Sequence, residues 1–495
     1  MARGKGDGSV LDYRNYAGLA VNKYAEVEVV PVIQGAQEIL STMDLSGKRT
    51  LVVGMGKSGL AAATWLARQG ACVTVSERQD ESALDSRVLS ELSGAGIELE
   101  LGEHRLKSFL EADLVVVSPG VPLDITPLVE ASRRGIPIIG ELELAWRYLI
   151  TPCIAITGTN GKSTVVKLIG DMLARGGKRV FVGGNIDSPL TDYIKGEQSA
   201  DWVVLEVSSF QLDTIETFSP RVALILNISP DHLDRYEDYQ SYVRSKERIF
   251  LNQGPGQTLI INGDDPLLKD LRLKNGPMVY RYGIERAHGR HSFLKNETIV
   301  VRLPGEGEGA FNLNQFKLPG THNRANLMAA ILASMWLHIP SSAIQESIDH
   351  FKGLPHRIQF VDTIHGVSYY DDSKATNIDA AIQSIRSFSR PVILIAGGRH
   401  KGSDYLPLVN AAKGRVKGAV FMGEASNLLA NDFNAKIPWS QVRSIEDAVN
   451  RAYDQAQEGD VVLLAPACSS FDMFQDYQHR GMAFQEAVRR LRNGT

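Results

Sequence analysis

The chain has little cysteine, only three in 495 residues. Cys72, Cys153 and Cys468 lie in or beside apolar runs, with no CxxC spacing and no histidine cluster. That excludes a disulfide framework and a structural zinc site, and predicts buried free thiols in a reducing compartment. No apolar run approaches the roughly 20 residues of a spanning helix, and "MARGKGDGSVLDYRNY" is followed by no apolar stretch of a signal peptide. A cytoplasmic protein without membrane insertion is expected. No basic block stands out, and 53 basic against 57 acidic side chains leave a net charge of -4. Nucleic acid is therefore not an expected partner, and an anionic substrate must be met by local groups. Repeats and low-complexity tracts are also missing.

What is present is a rhythm. From Leu45 onward, short β-branched runs alternate with helical segments: "RTLVVG", "ACVTVSE", "DLVVVSPG" and "IPIIG" first. The rhythm restarts at "CIAITGTNGKSTVVKLIGDMLARGG" and again after "KGLPHRIQFV". Such restarts predict three α/β units built on mainly parallel sheets. The first and third are expected to be Rossmann-like, and the central one a P-loop-type ATPase fold with a small β appendage between about residues 255 and 320. A length of 495 residues agrees with three cores. Expected boundaries are 43–150, 151–353 and 354–495. Residues 1–42, with weak periodicity, read as an extension ahead of Met43, itself a possible start.

In "ITGTNGKST" an apolar strand runs into Gly158, Thr159, Asn160 and Gly161, and a helix opens at Lys162, Ser163 and Thr164. Glycines let backbone amides converge on phosphate oxygens, the helix N-terminus adds partial positive charge, the lysine neutralises the outer phosphates, and a hydroxyl can hold Mg2+. Ile156 stands where the generic GxxxxGK[ST] spelling has its first glycine. Metal partners are sought at neighbouring strand ends: Glu206 closes "WVVLE", and Asn227, Asp231 and His232 follow "VALIL". Ligands gather at the carboxyl ends of parallel strands. Lys246, on a helix after His232, reads by position alone as a solvated lysine.

The first unit carries "VVGMGKSG", with Gly54, Gly56 and Gly59 after a strand and Glu77 ending the next. By motif this binds a dinucleotide, but the same turn suits any pyrophosphate, including that of a nucleotide sugar. Ser118, Pro119 and Gly120 form a tight turn at a nearby strand end. Three more strand ends in the third unit carry polar groups: Asp372 and Lys374 in "YYDDSKATN", Lys401 in "GGRHKG", and Ser469, Ser470 and Phe471 in "PACSSFDMF". Together they describe a crevice. His356 and Arg357 lie at the joint before it. Asn323 and Asn326 sit three apart on a helix start, where amides can read a nucleoside or simply cap.

"GTNGKST", "LEVSSFQL", "HLDRY", "THNRAN", "GLPHR", "DDSKATN" and "PACSSFDMF" occur here in the order typical of the Mur ligase family, which the chain resembles from about residue 45 to 486. "DSKATN" is the most discriminating and resembles the members that add glutamate to UDP-N-acetylmuramoyl-alanine. The resemblance implies a UDP-substrate domain, an ATP domain and a glutamate domain, acting on UDP-N-acetylmuramoyl-L-alanine, D-glutamate and ATP in a monomer. ATP would phosphorylate the alanyl carboxylate, and the glutamate amine would displace phosphate through a tetrahedral intermediate.

By the same resemblance, Gly158 to Thr164, Asn323, Asn326, Arg357 and Asp372 fall to ATP, with Lys162 on the transferred phosphate. Ser163 and Glu206 would hold one Mg2+, and His232 with a carbamylated Lys246 a second. Gly54, Gly56, Ser118, Pro119, Gly120, Asn185 and His232 fall to the UDP substrate. Lys374, Thr376, Lys401, Ser470 and Phe471 fall to glutamate, with Lys374 also counted as catalytic. Asp187 stands where the family usually has glycine, and "SERQD" lacks its frequent Thr-Arg pair. Two other classes remain open from the residues: a nicotinamide-dependent dehydrogenase, which leaves "GTNGKST" without a task, and an ATP-hydrolysing switch.

Overall fold

Runs such as Leu114–Val117 and Val461–Leu464 are buried along their whole length, as strands covered by helices on both faces must be. The computed structural model describes residues 44–494 apart from positions 286, 306, 403 and 435, together with the backbone of Val27–Glu28. The rest of the expected extension lies outside the described residues. Val27–Glu28 pair in parallel with Leu273–Lys274.

Three larger sheets organise the chain. The first has five parallel strands in the order Glu98–Leu101, Cys72–Glu77, Arg49–Val53, Leu114–Val117, Ile138–Gly140. Its chain order reverses between Arg49–Val53 and Leu114–Val117, which places a crevice beyond their carboxyl ends. The central sheet has nine strands, with Cys153–Thr157 between Trp202–Glu206 and Val222–Ile225. The β-rich stretch expected near residues 255–320 is continuous with this sheet. Thr258–Asn262, Met278–Gly283 and Ser292–Lys295 extend the parallel array, and Thr298–Leu303 and Gly307–Asn312 close it with antiparallel pairings. The third sheet has six strands, all parallel except for the edge hairpin of Gln359–Ile364 with Val367–Asp371.

Alternating side chains of each strand serve opposite faces. Ile154 and Ile156 enter one apolar cluster and Cys153 and Ala155 another. The latter cluster also contains Val52 and Val116 of the first sheet, so the first two sheets share a core. Val392 and Leu394 of the third sheet belong to a cluster of that unit's own residues, as do Ile393 and Ile395.

Helix starts near the strand ends are fixed by side chains that accept otherwise unpaired amides. Ser208 and Gln211 form a reciprocal capping box, Asp238 accepts from Ser241 N at 2.7 Å, and Asn377 accepts from Ala380 N at 2.8 Å. Among the described residues no helix is long and apolar enough to cross a membrane. One expectation for the cysteines fails. Cys153 and Cys468 are buried, but Cys72 is exposed, because it is the first residue of its strand, ahead of the part that is covered.

Candidate functional site

The phosphate loop is built by the strand Cys153–Thr157 and the helix Lys162–Arg175. Gly161 has φ 87°, and a Cβ there would stand 2.3 Å from Asn326 Oδ1, so only glycine fits the turn. No side chain caps this helix, which leaves its first amides directed into the cleft. Asn227 holds the loop from the next strand end. Its Oδ1 accepts from Asn160 N at 2.8 Å, while its Nδ2 donates to Asn160 O at 3.0 Å. Lys162 Nζ donates to the carbonyls of Gly158 and Thr159 at 2.8 and 2.9 Å.

Glu206 is buried at the end of Trp202–Glu206. It accepts from Ser163 Oγ at 2.6 Å and from Asn185 Nδ2 at 3.0 Å. Burial acts to raise its pKa, but the Lys162 charge and these two bonds outweigh it and hold the carboxyl below its ordinary value. Lys162 is pushed down by burial, with Glu206 and Asp231 opposing.

Lys246 is far from the solvated residue its position suggested. It is 1% exposed, its Nζ donates to Gly158 O at 3.0 Å, and it lies 4.5 Å over the Tyr242 ring. Burial and the neighbouring Lys162 charge lower its pKa strongly. His232 sits at φ 56° beside Asp231, edge-on to Phe210, and burial takes its imidazole down to about 4.

The third unit closes over this loop. Arg357 Nη2 donates to Ser163 Oγ at 2.9 Å, and Lys401 Nζ approaches Asp231 at 3.4 Å. Lys374 Nζ lies 3.9 Å from the Tyr477 ring centre, and burial, with Arg357 nearby, lowers its pKa to about 7. A cavity of about 270 Å³ is lined by Lys162, Ser163, Asn185, Glu206, His232 and Lys246 from the central unit and by Arg357, Lys374, Thr376 and Lys401. The two charged loops, more than 200 residues apart in sequence, thus face one space. Ser470 and Phe471 are not among its lining residues: Ser470 is buried and Phe471 is 63% exposed. The Arg480 guanidinium fixes their loop by donating to the carbonyls of Cys468 and Ser469 at 3.3 Å.

A second cavity of about 340 Å³ adjoins the loop on the side of Asn323, Asn326 and Asp372. Asn323 donates to Pro319 O at 2.7 Å, so it also ties down the helix start. Asp372 accepts from Ser384 Oγ, and burial raises its carboxyl to about 6. A third cavity, about 460 Å³, is lined by Gly54, Gly56, Ser118, Pro119 and Gly120 of the first unit and by Asn185 and Asp187 of the central one. Asn185 lines both this cavity and the polar one around Glu206. A long substrate could therefore pass from one to the other. His232 faces only the polar one of these two. Gly59 is required by close packing, since a Cβ there would stand 1.9 Å from Gly54 O. Asp187 adopts φ 53°, a left-handed turn that glycine would adopt freely, and pairs with Lys167.

His356 is structural: its Nδ1 meets Asp371 at 2.7 Å. Residues that sequence reasoning passed over are Asn377 and Asp379. Asn377 donates to Asp231 Oδ2 at 2.9 Å and to Asn160 Oδ1 at 3.3 Å. Asp379 accepts from Asn160 Nδ2 at 2.9 Å and Ser229 Oγ at 3.2 Å. In sequence both look like ordinary residues of a helix start.

Residues 48–140, 156–334 and 356–468 match, in turn, the Mur ligase MurD-like N-terminal domain, the Mur ligase middle domain and the Mur ligase glutamate ligase domain. The UDP-N-acetylmuramoylalanine–D-glutamate ligase of Geotalea uraniireducens is 43% identical over 91% of this chain and 99% of its own. That of Acidobacterium capsulatum is 43% identical over 90% and 97%. Among solved structures, a pseudomurein peptide ligase type C from Methanothermus fervidus superposes with a TM-score of 0.57 at 20% identity, covering 90% of this chain and all of that one. The MurF ligase of Thermotoga maritima in complex with ADP gives 0.55 at 15% identity, covering 90% and 96%. At these identities the two structures speak for the fold alone.

Proposed function

The chain belongs to the Mur ligase family, and from that premise we propose that it joins D-glutamate to UDP-N-acetylmuramoyl-L-alanine with ATP, making a peptidoglycan precursor. The observation that carries this reading is the shared polar cavity, where Lys162 and Glu206 of the phosphate loop region face Lys374, Thr376 and Lys401. The relatives at 43% identity carry the same activity in their names.

A carboxylate is a poor electrophile until one oxygen becomes a leaving group. Transfer of the outer phosphate of ATP to the alanyl carboxylate makes an acyl phosphate. The amine of glutamate then attacks, and the tetrahedral intermediate collapses to the amide as phosphate leaves. The protein's main task is to position these groups and neutralise charge. Lys162, the free amides after Gly161 and Arg357 are placed for the phosphates. Asn323, Asn326 and Asp372 line the nucleoside side. Lys374, Thr376 and Lys401 receive the carboxylates of glutamate, and Ser470 and Phe471 are assigned to the same ligand although neither lines the cavity. Gly54, Gly56, Ser118, Pro119, Gly120 and Asn185 take the UDP substrate.

The ionised Glu206 and the Ser163 hydroxyl are hard oxygen ligands of the kind Mg2+ takes beside phosphates. Among the described residues no group of three His, Cys, Asp or Glu side chains is gathered for a metal, so this pair would act together with phosphate oxygens. Bound there, Mg2+ would offset charge on the transferred group. A second Mg2+ at His232 needs an anion from Lys246. Its buried, easily neutral amine is suited to add CO2 and lose a proton, giving a carbamate. A carbonyl signal from 13C-bicarbonate, absent in Lys246→Ala, tests that step. Residues 43–150, 151–353 and 354–495 serve as the UDP-substrate, ATP and glutamate domains of a cytoplasmic monomer, with residues 1–42 as an extension.

Phosphate release with UDP-N-acetylmuramoyl-L-alanine and a panel of D- and L-amino acids tests the whole reading. Release that depends on D-glutamate is expected. Release independent of any amino acid would instead indicate an ATP-hydrolysing switch.

A further inference from the structure

Beside the joint between the central and third units lies a crevice of about 390 Å³ that the reaction does not use. Its central-unit wall is the loop carrying Lys317 and Pro319, with Lys352 nearby, and its far wall is Phe360, Tyr370 and Phe388. The aromatic rings form a connected surface: Phe360 to Tyr370 is 5.5 Å between centres, and Tyr370 to Phe388 is 4.7 Å. Phe360 is 54% exposed, although it lies within the strand Gln359–Ile364. Lys317, Lys352 and Arg357 all line the crevice, and no carboxylate does. Both lysines are exposed, and neither is ion-paired among the described residues.

We propose that this crevice is a second small-molecule site, separate from the substrate clefts, that takes a flat aromatic ring bearing an anionic group. The ring stacks on Phe360, and the anion meets Lys317 and Lys352. A nucleoside monophosphate and an aromatic sulfonate or carboxylate share this chemistry.

The site communicates with the nucleotide cleft through two residues of the connecting segment. Arg357 borders both cavities and also donates to Ser163 Oγ at 2.9 Å. Ile358 borders both as well, at φ 44°, a left-handed conformation that costs a β-branched residue. An anion in the crevice competes for Arg357 and so weakens nucleotide binding. By linkage, nucleotide weakens the anion's binding by the same factor and no further.

The test is fluorescence titration of the full chain with 8-anilinonaphthalene-1-sulfonate, with UDP saturating and ADP varied. One saturable site is expected, whose affinity falls with ADP to a plateau of about five- to tenfold. Lys317→Glu with Lys352→Glu, both at exposed positions, should weaken the probe at least about tenfold with Tm unchanged. Phe360→Ser should weaken it as well. Competition by guanosine monophosphate, set against 2-naphthoate, tells which source of the chemistry fits better, and displacement by either supports the site. Complete displacement of the probe by ADP would place it in the nucleotide cleft and overturn the proposal. Unchanged binding in the double charge reversal would do the same. The readout is binding, so its failure leaves the ligase reading untouched.

Discussion

Where the first sheet meets the central one, Trp146 stands edge-on to Phe218 at 5.1 Å, and Val52, Val116, Ala155 and Leu205 share one apolar cluster. The fully buried Glu143 accepts from the backbone amides of Glu216, Thr217 and Phe218 at 3.0 to 3.1 Å and from Arg147. Where the central sheet meets the third, the joint contains polar bonds between side chains: Arg357 to Ser163, Lys401 to Asp231, Asn377 to Asp231, and Asp379 to Asn160 and Ser229. Opening the first joint exposes a common core, whereas water can replace the bonds of the second. The first two units are therefore tied by a shared core, and the third is held across a joint of exchangeable polar bonds, the arrangement expected of a unit that closes on the proposed ATP and glutamate site. Stability is concentrated at one joint and chemistry at the other.

The sharpest way to break that division is Lys162→Ala. Removing the cation proposed to meet the transferred phosphate should cut ligation about 10³-fold, near 4 kcal/mol of transition-state stabilisation, with Tm unchanged. Retained turnover would sink the assignment. Phe218→Ala is the mirror experiment. Truncating this fully buried ring should cost about 3 kcal/mol of stability in denaturant unfolding while KM for glutamate stays put. A shift in that KM as large as the loss of stability would mean that the first joint also tunes the site.

The same contrast explains what could be read from sequence. Parallel strands covered on both faces spell continuous apolar runs, so "LVVV", "CIAIT" and "VVLL" announced their strands, and the polar residues at their ends announced the clefts. Lys374, Thr376 and Lys401 do meet the phosphate loop in one cavity. Lys246 could not be read from its helix, because, although Tyr242 lies one turn back on the same helix, the Gly158 carbonyl that its Nζ meets comes from the phosphate loop, 88 residues away. Asp379 hides for another reason. An acid in the first turn of a helix needs no tertiary partner, and its bond to Asn160 spans 219 residues. The central sheet's continuation past residue 255 was obscured by glycine-rich turns, and the exposure of Cys72 by the apolar neighbourhood of a strand that is buried only beyond its first residue.

Asp379→Ala probes the second joint at a residue not itself assigned to substrate or metal, through its bond to Asn160 of the phosphate loop. Losing the bonds to Asn160 and Ser229 should lower kcat/KM for glutamate about tenfold, because the third unit is less well held against the phosphate loop. Tm should hardly change, since Asp379 is only half-buried. A double-mutant cycle with Ser229→Ala, read in kcat/KM, distinguishes a direct coupling from a diffuse effect. Strict additivity would remove Asp379 from the account.

The change with no effect on ligation is Glu141→Gln, at the first joint. Glu141 Oε1 accepts from Thr191 N at 2.7 Å and from its hydroxyl at 2.9 Å, while Oε2 is buried without a partner. Burial is the main cause that lifts this carboxyl from 4.5 to about 7. Between those values the unfolded chain is ionised while the folded one keeps its proton. The stabilising contribution is therefore complete below about pH 4.5 and is lost as pH rises through 7. Glutamine keeps an oxygen for Thr191 but cannot titrate. The wild type should lose more Tm than the variant between pH 5 and pH 8, with ligation at pH 8 equal in both. Parallel Tm curves would show that the carboxylate stays ionised in the fold. The first joint would then carry a second buried carboxylate beside Glu143, one without an arginine partner among the described residues.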